Sequence, residues 1–327
     1  IGQNLTLSGA GDAAATAGTA EAAALAITTG SGETKISSNI TLAADTTIYA
    51  GGTGDHRLNG SFNGAGYTLT KTGSGFLGLG AFATGSTNDL SGDMDIQGGT
   101  VQLVGMGSAE ARQAIGKTTL AAGTKLYFYT GHYDFADADG AIAFDGDATL
   151  DLGAEATAKL STNVSGSSIV TMRSSGGNAN GTLTLAADND FSGTWQLNSA
   201  AWKLNLAHAD AAKNATIDMN TSAALKLMDG TEAYNVKVLK GSVAEASIAT
   251  EGTTRHTLNI TNTLIAVANA SYAGAVAGTV DVKLLGGMQK FSGVLGDGST
   301  YAVSAGKLAI ASTGQSGTHS FTATGGV

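Results

Sequence analysis

The stretch SGDMDIQGGTVQL, residues 91–103, decides the fold of this chain because it recurs. SGTWQLNSAAWKL occupies residues 192–204, and a looser version with a four-residue insertion, SGVLGDGSTYAVSAGKL, occupies residues 292–308. A shorter phrase, TLAAD or TLAAG, begins at residues 41, 119 and 184. A single coil of strand and turn cannot bury its own apolar side, whereas coils stacked in register can. The repeats therefore predict a solenoid of stacked β-coils.

The composition fits such a solenoid and differs from that of an ordinary globular protein. The chain of 327 residues contains 48 glycines but no proline, and only 13% of its residues are charged. Proline lacks a backbone N–H and is excluded from the interior of a hydrogen-bonded strand ladder. A chain without proline can therefore place nearly every residue in or beside a ladder. Cysteine is also absent, which excludes disulfides and thiolate metal sites.

The charge of the chain argues against two classes of partner. Lysine and arginine together number 17 and aspartate and glutamate 26, which gives a formal net charge of −9 and a pI near 4.9. An acidic surface disfavours nucleic acid and anionic membranes, where a basic patch is needed. The sequence has no run of about 18 apolar residues that could span a bilayer as a helix. We therefore predict no nucleic-acid partner and no transmembrane segment.

From Lys35 onward the sequence consists of short alternating runs that are broken by Gly, Asn or Asp. Alternation over a few residues, with turn residues between the runs, is typical of strands that have one buried face. No linker or change in composition interrupts the pattern, so residues 35–327 are predicted to form one continuous β-solenoid domain. The side chains expected to face inward are Ile40, Leu42, Leu69, Leu77, Leu79, Leu183, Leu185, Leu197 and Leu204.

Residues 1–34 are predicted to form a strand followed by a short helix. Residues 1–10 alternate as a strand does, and the segment from Asp12 to Ile27 is rich in alanine. Asp12 is a suitable N-cap and Gly30 a suitable stop for this helix. In a stacked β-coil such a helix covers the exposed edge and the apolar core of the first coil. We expect an N-terminal capping helix, and a helix that binds a partner is the alternative.

The segment YTLTKTGSGFLGLG at residues 67–80, together with SGDMDIQGGTVQL, resembles the autotransporter-associated β-strand repeat of bacterial passenger domains. That repeat has a Lys-Thr-Gly-Ser-Gly turn, an alternating Leu strand, a Ser-Gly step and a Gly-Gly turn into another apolar strand. The copies near residues 183–204 and 292–308 match less fully, and the third has LLGGMQKFSG at 284–293 in place of the first turn. The matching positions are Lys71, Thr72, Gly73, Ser74, Gly75, Leu77, Leu79, Ser91, Gly92, Gly98, Gly99, Val101 and Leu103.

This resemblance implies a right-handed parallel β-helix that is exported and displayed outside the cell. Recognisable motifs cover roughly half of the chain. The repeat occurs in adhesins, in proteases and in proteins of unknown role, so it marks an architecture rather than an activity. The predicted fold class is therefore all-β, a right-handed parallel β-helix (β-solenoid), and the expected localisation is extracellular or at the cell surface.

An acidic segment, DFADADGAIAFDGDATLD at residues 134–151, is the strongest local departure from the strand pattern. Two pairs of carboxylates lie beside glycines, Asp137 with Asp139 and Asp145 with Asp147. Carboxylates in this arrangement can converge on a hard cation such as Ca²⁺. Solvated turn carboxylates, which we favour, and paired general acid and base groups are the alternatives. These four residues are the candidate metal ligands, and no other cofactor is expected.

Five aromatic residues gather near this acidic segment: Tyr127, Phe128, Tyr129, Tyr133 and Phe135. They can form either a stack buried inside the coils, which we favour, or a platform for sugar rings. Polysaccharide-cleaving β-helices line their groove with aromatic and basic residues, but the 17 basic residues of this chain are scattered. No zinc, nucleophile-elbow or phosphate-loop pattern is found in the sequence. We therefore predict no catalytic residues and no enzymatic activity.

Three classes of function fit these features. The first is a secreted bacterial surface or extracellular structural protein that assembles into a filament or matrix through its solenoid ends, where open strands expose unpaired N–H and C=O groups. The second is an autotransporter-type adhesin that binds glycans or cell surfaces through lateral loops. A polysaccharide lyase or hydrolase is the least favoured. We predict the first class, with self-association as the main interaction and glycans or a cell surface as further partners.

Overall fold

The computed structural model of the chain describes residues 4–12, 15–28, 30–80, 88–105, 112–153, 155–175, 181–200, 202–263, 270–311 and 318–324. Every regular element in these ranges is a β-strand, and the paired strands are parallel. The chain divides into two compact units, unit 1 (residues 1–168 and 175–177) and unit 2 (residues 169–174 and 178–327). Each unit is a parallel β-solenoid, and together they contain about 12 turns. No helix in the described ranges is long and apolar enough to cross a membrane.

Unit 1 is built from three sheets. The first has ten strands in the order β19-β16-β13-β10-β7-β4-β6-β9, with β1 and β2 also paired to β4; the second runs β3-β5-β8-β11-β14-β17 and the third β12-β15-β18. The strands are β1 (Leu5–Gly9), β2 (Leu25–Ile27), β3 (Thr34–Ile36), β4 (Ile40–Ala50), β5 (Asp55–Leu58), β6 (Phe62–Asn63), β7 (Leu69–Thr72), β8 (Phe76–Leu79), β9 (Asn88–Asp89), β10 (Met94–Ile96), β11 (Thr100–Leu103), β12 (Gln113–Ile115), β13 (Thr118–Leu120), β14 (Lys125–Phe128), β15 (His132–Phe135), β16 (Ile142–Phe144), β17 (Ala148–Leu152), β18 (Thr157–Leu160) and β19 (Val164–Gly166).

Unit 2 also winds through three sheets. Their strand orders are β20-β22-β24-β26-β28-β31-β33-β35, β21-β23-β25-β27-β30 and β29-β32-β34. The strands are β20 (Ile169–Arg173), β21 (Thr182–Leu185), β22 (Thr194–Leu197), β23 (Lys203–Leu206), β24 (Ala212–Met219), β25 (Ala224–Leu227), β26 (Ala233–Lys240), β27 (Ser247–Thr250), β28 (His256–Ile260), β29 (Ser271–Tyr272), β30 (Ala275–Val276), β31 (Val280–Leu284), β32 (Met288–Phe291), β33 (Thr300–Val303), β34 (Lys307–Ile310) and β35 (Ser320–Ala323).

Strand register gives the length of one coil directly. In unit 1 Met94, Thr118, Ile142 and Val164 are successive partners, at intervals of 24, 24 and 22 residues. In unit 2 the partners Thr182, Lys203, Ala224 and Ser247 follow at intervals of 21, 21 and 23 residues. The recurring phrase encodes a strand, a corner and a strand in each copy, namely β10 with β11, β22 with β23 and β33 with β34. Its spacing of 100 or 101 residues is therefore not the structural repeat.

The predicted inward positions are confirmed. All nine side chains are buried, and none is more than 3% exposed. Alternation sends every second side chain into the coil, and removing one Leu from water contributes about 1.5–3 kcal/mol. The prediction of one continuous domain over residues 35–327 stays a prediction.

The predicted N-terminal helix is wrong for the described residues of its segment; positions 13 and 14 lie outside them. Ala24 donates its backbone N–H to the Thr47 carbonyl at 2.9 Å, and β2 pairs with residues 48–50 of β4. Thr16 and Thr19 close a turn instead of a helical i→i−4 bond, and Gly18 has a φ of +83°. Alanine favours a helix by only about 0.7 kcal/mol per residue or less over most residues, so pairing with β4 prevails over local propensity.

Glycines at the corners let successive coils approach each other closely. A Cβ atom on Gly92 would lie 2.1 Å from the Tyr67 carbonyl oxygen, and one on Gly116 would lie 2.3 Å from the Gly92 carbonyl oxygen. Only a residue without a Cβ fits where the backbone of the coil below is this near. This contact explains the Ser-Gly step at Ser91 and Gly92.

Lys71 holds the neighbouring corner together from inside the coil. Its side chain is fully buried, and Nζ donates to the carbonyl oxygens of Gly73 at 2.5 Å, Gly75 at 2.7 Å and Gly98 at 2.7 Å. Burial lowers the pKa of Lys71 to about 8, so the ammonium form still predominates at pH 7. The Lys-Thr-Gly-Ser-Gly and Gly-Gly elements of the sequence are thus one structural unit, in which an ammonium group joins two stacked turns.

Candidate functional site

A concave site lies on the first sheet of unit 1, where β4, β6 and β9 pair. The cavity has a volume of about 520 Å³, which is in the range of small-molecule binding sites. We call it the asparagine groove, and the side chains that define it are those of Asn39, Thr41, Ser61, Asn63, Asn88 and Asp89.

Backbone hydrogen bonds fix the orientation of the three amides in the asparagine groove. Oδ1 of Asn39 accepts the N–H of Ser61, Oδ1 of Asn88 accepts that of Phe62, and Oδ1 of Asn63 accepts that of Ala65, each at 3.0 Å. A backbone N–H can only donate, so the atom that faces it must be the carbonyl oxygen. Each Nδ2 group therefore points away from that contact, and none of the three donates to another residue in the described ranges.

Asp89 supplies the formal charge of the asparagine groove. A hydrogen bond from the Ser91 side chain lowers the pKa of Asp89, partial burial raises it less, and the backbone N–H groups of Ser91 and Ala65 lower it further. The carboxylate is therefore ionised at neutral pH. Among the described residues that line the groove none is basic, so the groove presents one negative charge beside uncharged donors.

The chemistry of the asparagine groove suits a neutral ligand rich in hydroxyl groups. Amide Nδ2 groups donate, hydroxyls donate and accept, and a carboxylate accepts, which together match the mixed requirements of sugar hydroxyls. Hydrolysis of a glycosidic bond uses a pair of carboxylates, and the described lining contains one, Asp89. The groups present therefore offer binding rather than cleavage.

The structure divides the four candidate metal ligands between two corners. Asp137 and Asp139 lie on the corner before β16, where Oδ1 of Asp137 accepts the Asp139 N–H at 2.8 Å. Asp145 and Asp147 lie on the corner after β16, and three strand residues alone span about 10 Å. Within the described ranges no group of three or more acidic, His or Cys side chains is placed to hold a metal ion. Calcium binding stays a prediction for either pair.

A third carboxylate lies near the first of these corners. Burial raises the pKa of Asp93, and Asp137 and Asp139 raise it further, while Lys117 opposes the shift. Asp93 belongs to the Ser-Gly-Asp corner that precedes β10, one coil from β13. Mutual repulsion among three exposed carboxylates is the result expected of solvated turn residues.

The five aromatic residues fall on opposite sides of the sheet. Phe128, Tyr133 and Phe135 are fully buried, with ring centroids 5.0 Å apart for Phe128 and Tyr133 and 5.9 Å apart for Phe128 and Phe135. This confirms the buried stack for these three. Tyr127 and Tyr129 lie on the outer face with their rings edge to face at 5.9 Å, and Tyr129 is 43% exposed.

Charged groups surround the outer pair. Lys125 Nζ lies 5.3 Å from the Tyr127 ring centroid and 3.2 Å from Oδ2 of Asp151. Asp151 is fully buried, and it also accepts hydrogen bonds from the backbone N–H of Ser175 at 2.9 Å and from the Ser175 hydroxyl. With both oxygens engaged, this carboxylate acts as a structural anchor for Lys125 and Ser175.

The phenol of Tyr127 should titrate late. Burial raises the pKa of Tyr127 to about 12, and the charge of Asp151 adds to the shift. The folded protein therefore keeps a proton between about pH 10 and 12 that the unfolded chain releases, so the stability this phenol contributes is lost as pH rises through that window. We expect the difference in tyrosinate absorbance between wild type and Tyr127→Phe to appear only above about pH 11. A difference already complete at pH 10.5 would contradict the buried placement.

Sequence reasoning missed the asparagine groove because its residues come from separate coils. Asn39, Asn63 and Asn88 are spaced by 24 and 25 residues, which matches the coil length of unit 1. A search for polar residues at that period could have found them, but the period itself becomes visible only from strand register. No protein-family model, curated protein or solved structure matches this chain.

Proposed function

We propose that the protein is a non-enzymatic extracellular solenoid that binds carbohydrate through the asparagine groove, as an adhesin does. The observation that carries this proposal is the orientation of three amides, whose carbonyl oxygens are held by backbone N–H groups. Their Nδ2 donors are thereby directed toward a cavity that also contains the ionised Asp89. Preorganised donors bind a ligand without loss of side-chain entropy on binding.

The cellular setting is part of the same proposal. The Lys71 corner and the Gly92 step supply a physical reason for the motif by which the sequence resembles the autotransporter-associated repeat. A chain without cysteine suits export and life outside the cell. Parallel strands that are joined through a crossover are right-handed in about 98% of cases, which supports a right-handed coil.

Replacing Asn63 by aspartate tests the glycan proposal. Aspartate keeps the oxygen that accepts the Ala65 N–H but replaces the Nδ2 donor with a negatively charged acceptor. Loss of one hydrogen bond to a bound ligand, with a buried acceptor left unpaired, costs about 1–3 kcal/mol. We expect glycans that bind the wild type on an array to bind Asn63→Asp at least about tenfold more weakly in calorimetric titration.

The matched control is Asn198→Asp, which makes the same chemical change at an exposed position of unit 2. It should leave glycan binding unchanged. Equal binding by wild type and Asn63→Asp, or no binding of any neutral glycan by the wild type, would sink the proposal.

Self-association is a second candidate function, and Phe321 favours it. This side chain is 57% exposed and stacks on Tyr301 with 5.5 Å between ring centroids. Together with Leu308 and Ile310 it lines a cleft of about 230 Å³. In the described part of the chain β35 pairs with β33 alone. An apolar cleft beside an open strand edge is a template for a second chain.

Sedimentation velocity tests this second candidate. The wild type should show a weight-average sedimentation coefficient that rises with protein concentration, and Phe321→Ser should shift the rise to concentrations at least about tenfold higher. A concentration-independent monomer in the wild type would contradict self-association through this cleft.

A further inference from the structure

Polar side chains on the outer face of unit 1 form a column across four successive strands. Thr6 is the register partner of Thr41, Thr41 of Asn63, and Asn63 of Asp89. Adjacent strands lie about 4.8 Å apart, so the column is about 14 Å long. It runs along the direction in which the coils stack, and three of its members define the asparagine groove.

Strand alternation makes this column a continuous outward track. Ile40 and Phe62, the neighbours that precede Thr41 and Asn63, are 1% exposed and belong to the core. Since successive side chains point to opposite faces, Thr41 and Asn63 project outward. Each coil therefore presents one polar group at an equivalent position.

The track is matched to a ligand that repeats along its own length. A sugar unit in an extended chain advances by about the separation of two strands, so a chain laid along the column meets one polar group per sugar. A ligand laid across the column would meet one coil alone. Asp89 carries the only charge on the described lining of the groove, and this charge repels uronic or sialic acid groups.

We infer that the asparagine groove binds a linear, neutral oligosaccharide that lies along the stacking direction, with successive sugars over Thr41, Asn63 and Asp89. This inference rests on the proposed function and specifies its ligand. Three groups in the groove set the length of the recognised segment at three to four sugars. Asp89 is the residue that determines specificity, because it accepts hydroxyl groups and excludes acidic sugars.

Calorimetric titration with oligosaccharides of one to six units tests the inference. The probes are β-1,4-linked glucose, mannose and xylose oligomers as neutral series and galacturonate oligomers as the acidic series. For at least one neutral series, affinity should rise at least about threefold with each sugar up to three or four and then stay constant. Galacturonate oligomers should not bind the wild type. Asp89→Asn keeps the oxygen that accepts the Ser91 N–H and should allow galacturonate trimers to bind.

The outcomes separate this inference from the function on which it rests. Equal affinity for the monosaccharide and the tetrasaccharide would overturn the track and leave carbohydrate binding intact. Tighter binding of galacturonate than of every neutral series would overturn the assignment of a neutral ligand, as would a length dependence that survives in Asn63→Asp. Binding of only a branched glycan on the array would likewise overturn the linear ligand. Failure of all glycans to bind would overturn both.

Discussion

Replacing Lys71 by methionine should destabilise the corner between β7 and β11 by about 4 kcal/mol. Methionine matches the length of the side chain but has no donor, so the carbonyl oxygens that Nζ now binds, those of Gly73, Gly75 and Gly98, lose this partner inside the solenoid. An unpaired buried polar group costs about 1–3 kcal/mol. Relief from burying a charge offsets part of that sum, since burial already lowers the pKa of Lys71 to about 8.

Amide hydrogen exchange measures this loss where it occurs. The informative amides are those of Gly75, which donates to Ala50, and of Gln97, which donates to the Lys71 carbonyl. Their free energies of opening should fall, because local stability is not uniform along a stack of coils. Lys35→Met is the control, since that side chain is 54% exposed and pairs with Glu33 on the surface. Unchanged protection at Gly75 in Lys71→Met would show that the three carbonyl contacts contribute nothing.

The strand pattern was predictable because it depends on local alternation. Leu77, Leu183 and Leu204 face inward for a reason that each short run contains, namely an apolar residue at every second position. The segment around Ala24 failed the same test of local reasoning. Its alanines favour a helix by fractions of a kcal/mol, whereas pairing with β4, a strand one coil away, supplies a ladder that propensity alone does not reveal.

The role of each corner residue was not predictable without the coil below it. The sequence shows that Lys71 precedes a glycine-rich turn, but not that Gly98 lies within hydrogen-bond distance of its Nζ. The asparagine groove depends on the same kind of information. Whether the Nδ2 group of Asn39 is available is decided by the N–H of Ser61, which lies 22 residues along the chain and one coil away. The acidic segment was conspicuous in sequence, yet β16 divides its candidate ligands between two corners.

Replacing Gly92 by alanine should destabilise unit 1 by about 3 kcal/mol, because the added methyl group has no space. Its Cβ would lie 2.1 Å from the Tyr67 carbonyl oxygen and 2.8 Å from the carbonyl carbons of Gly66 and Tyr67. These are backbone atoms of the coil below and cannot rotate away as a flexible side chain can. Overpacking of a tight contact costs about 1–3 kcal/mol, and separating the coils also stretches the 2.8 Å bond from the Leu69 N–H to the Asp93 carbonyl.

The control is Gly30→Ala, where a Cβ atom meets nothing within 4 Å. Replacing a glycine in open space restricts the unfolded chain and stabilises the protein by about 0.4–1 kcal/mol. In urea unfolding followed by circular dichroism, we therefore expect a lower midpoint for Gly92→Ala and an equal or slightly higher midpoint for Gly30→Ala. The same order should appear in exchange of the Leu69 amide. If both variants shifted the midpoint equally, close approach of the backbones would not be the reason for the Ser-Gly step, and glycine there would serve only to turn the chain.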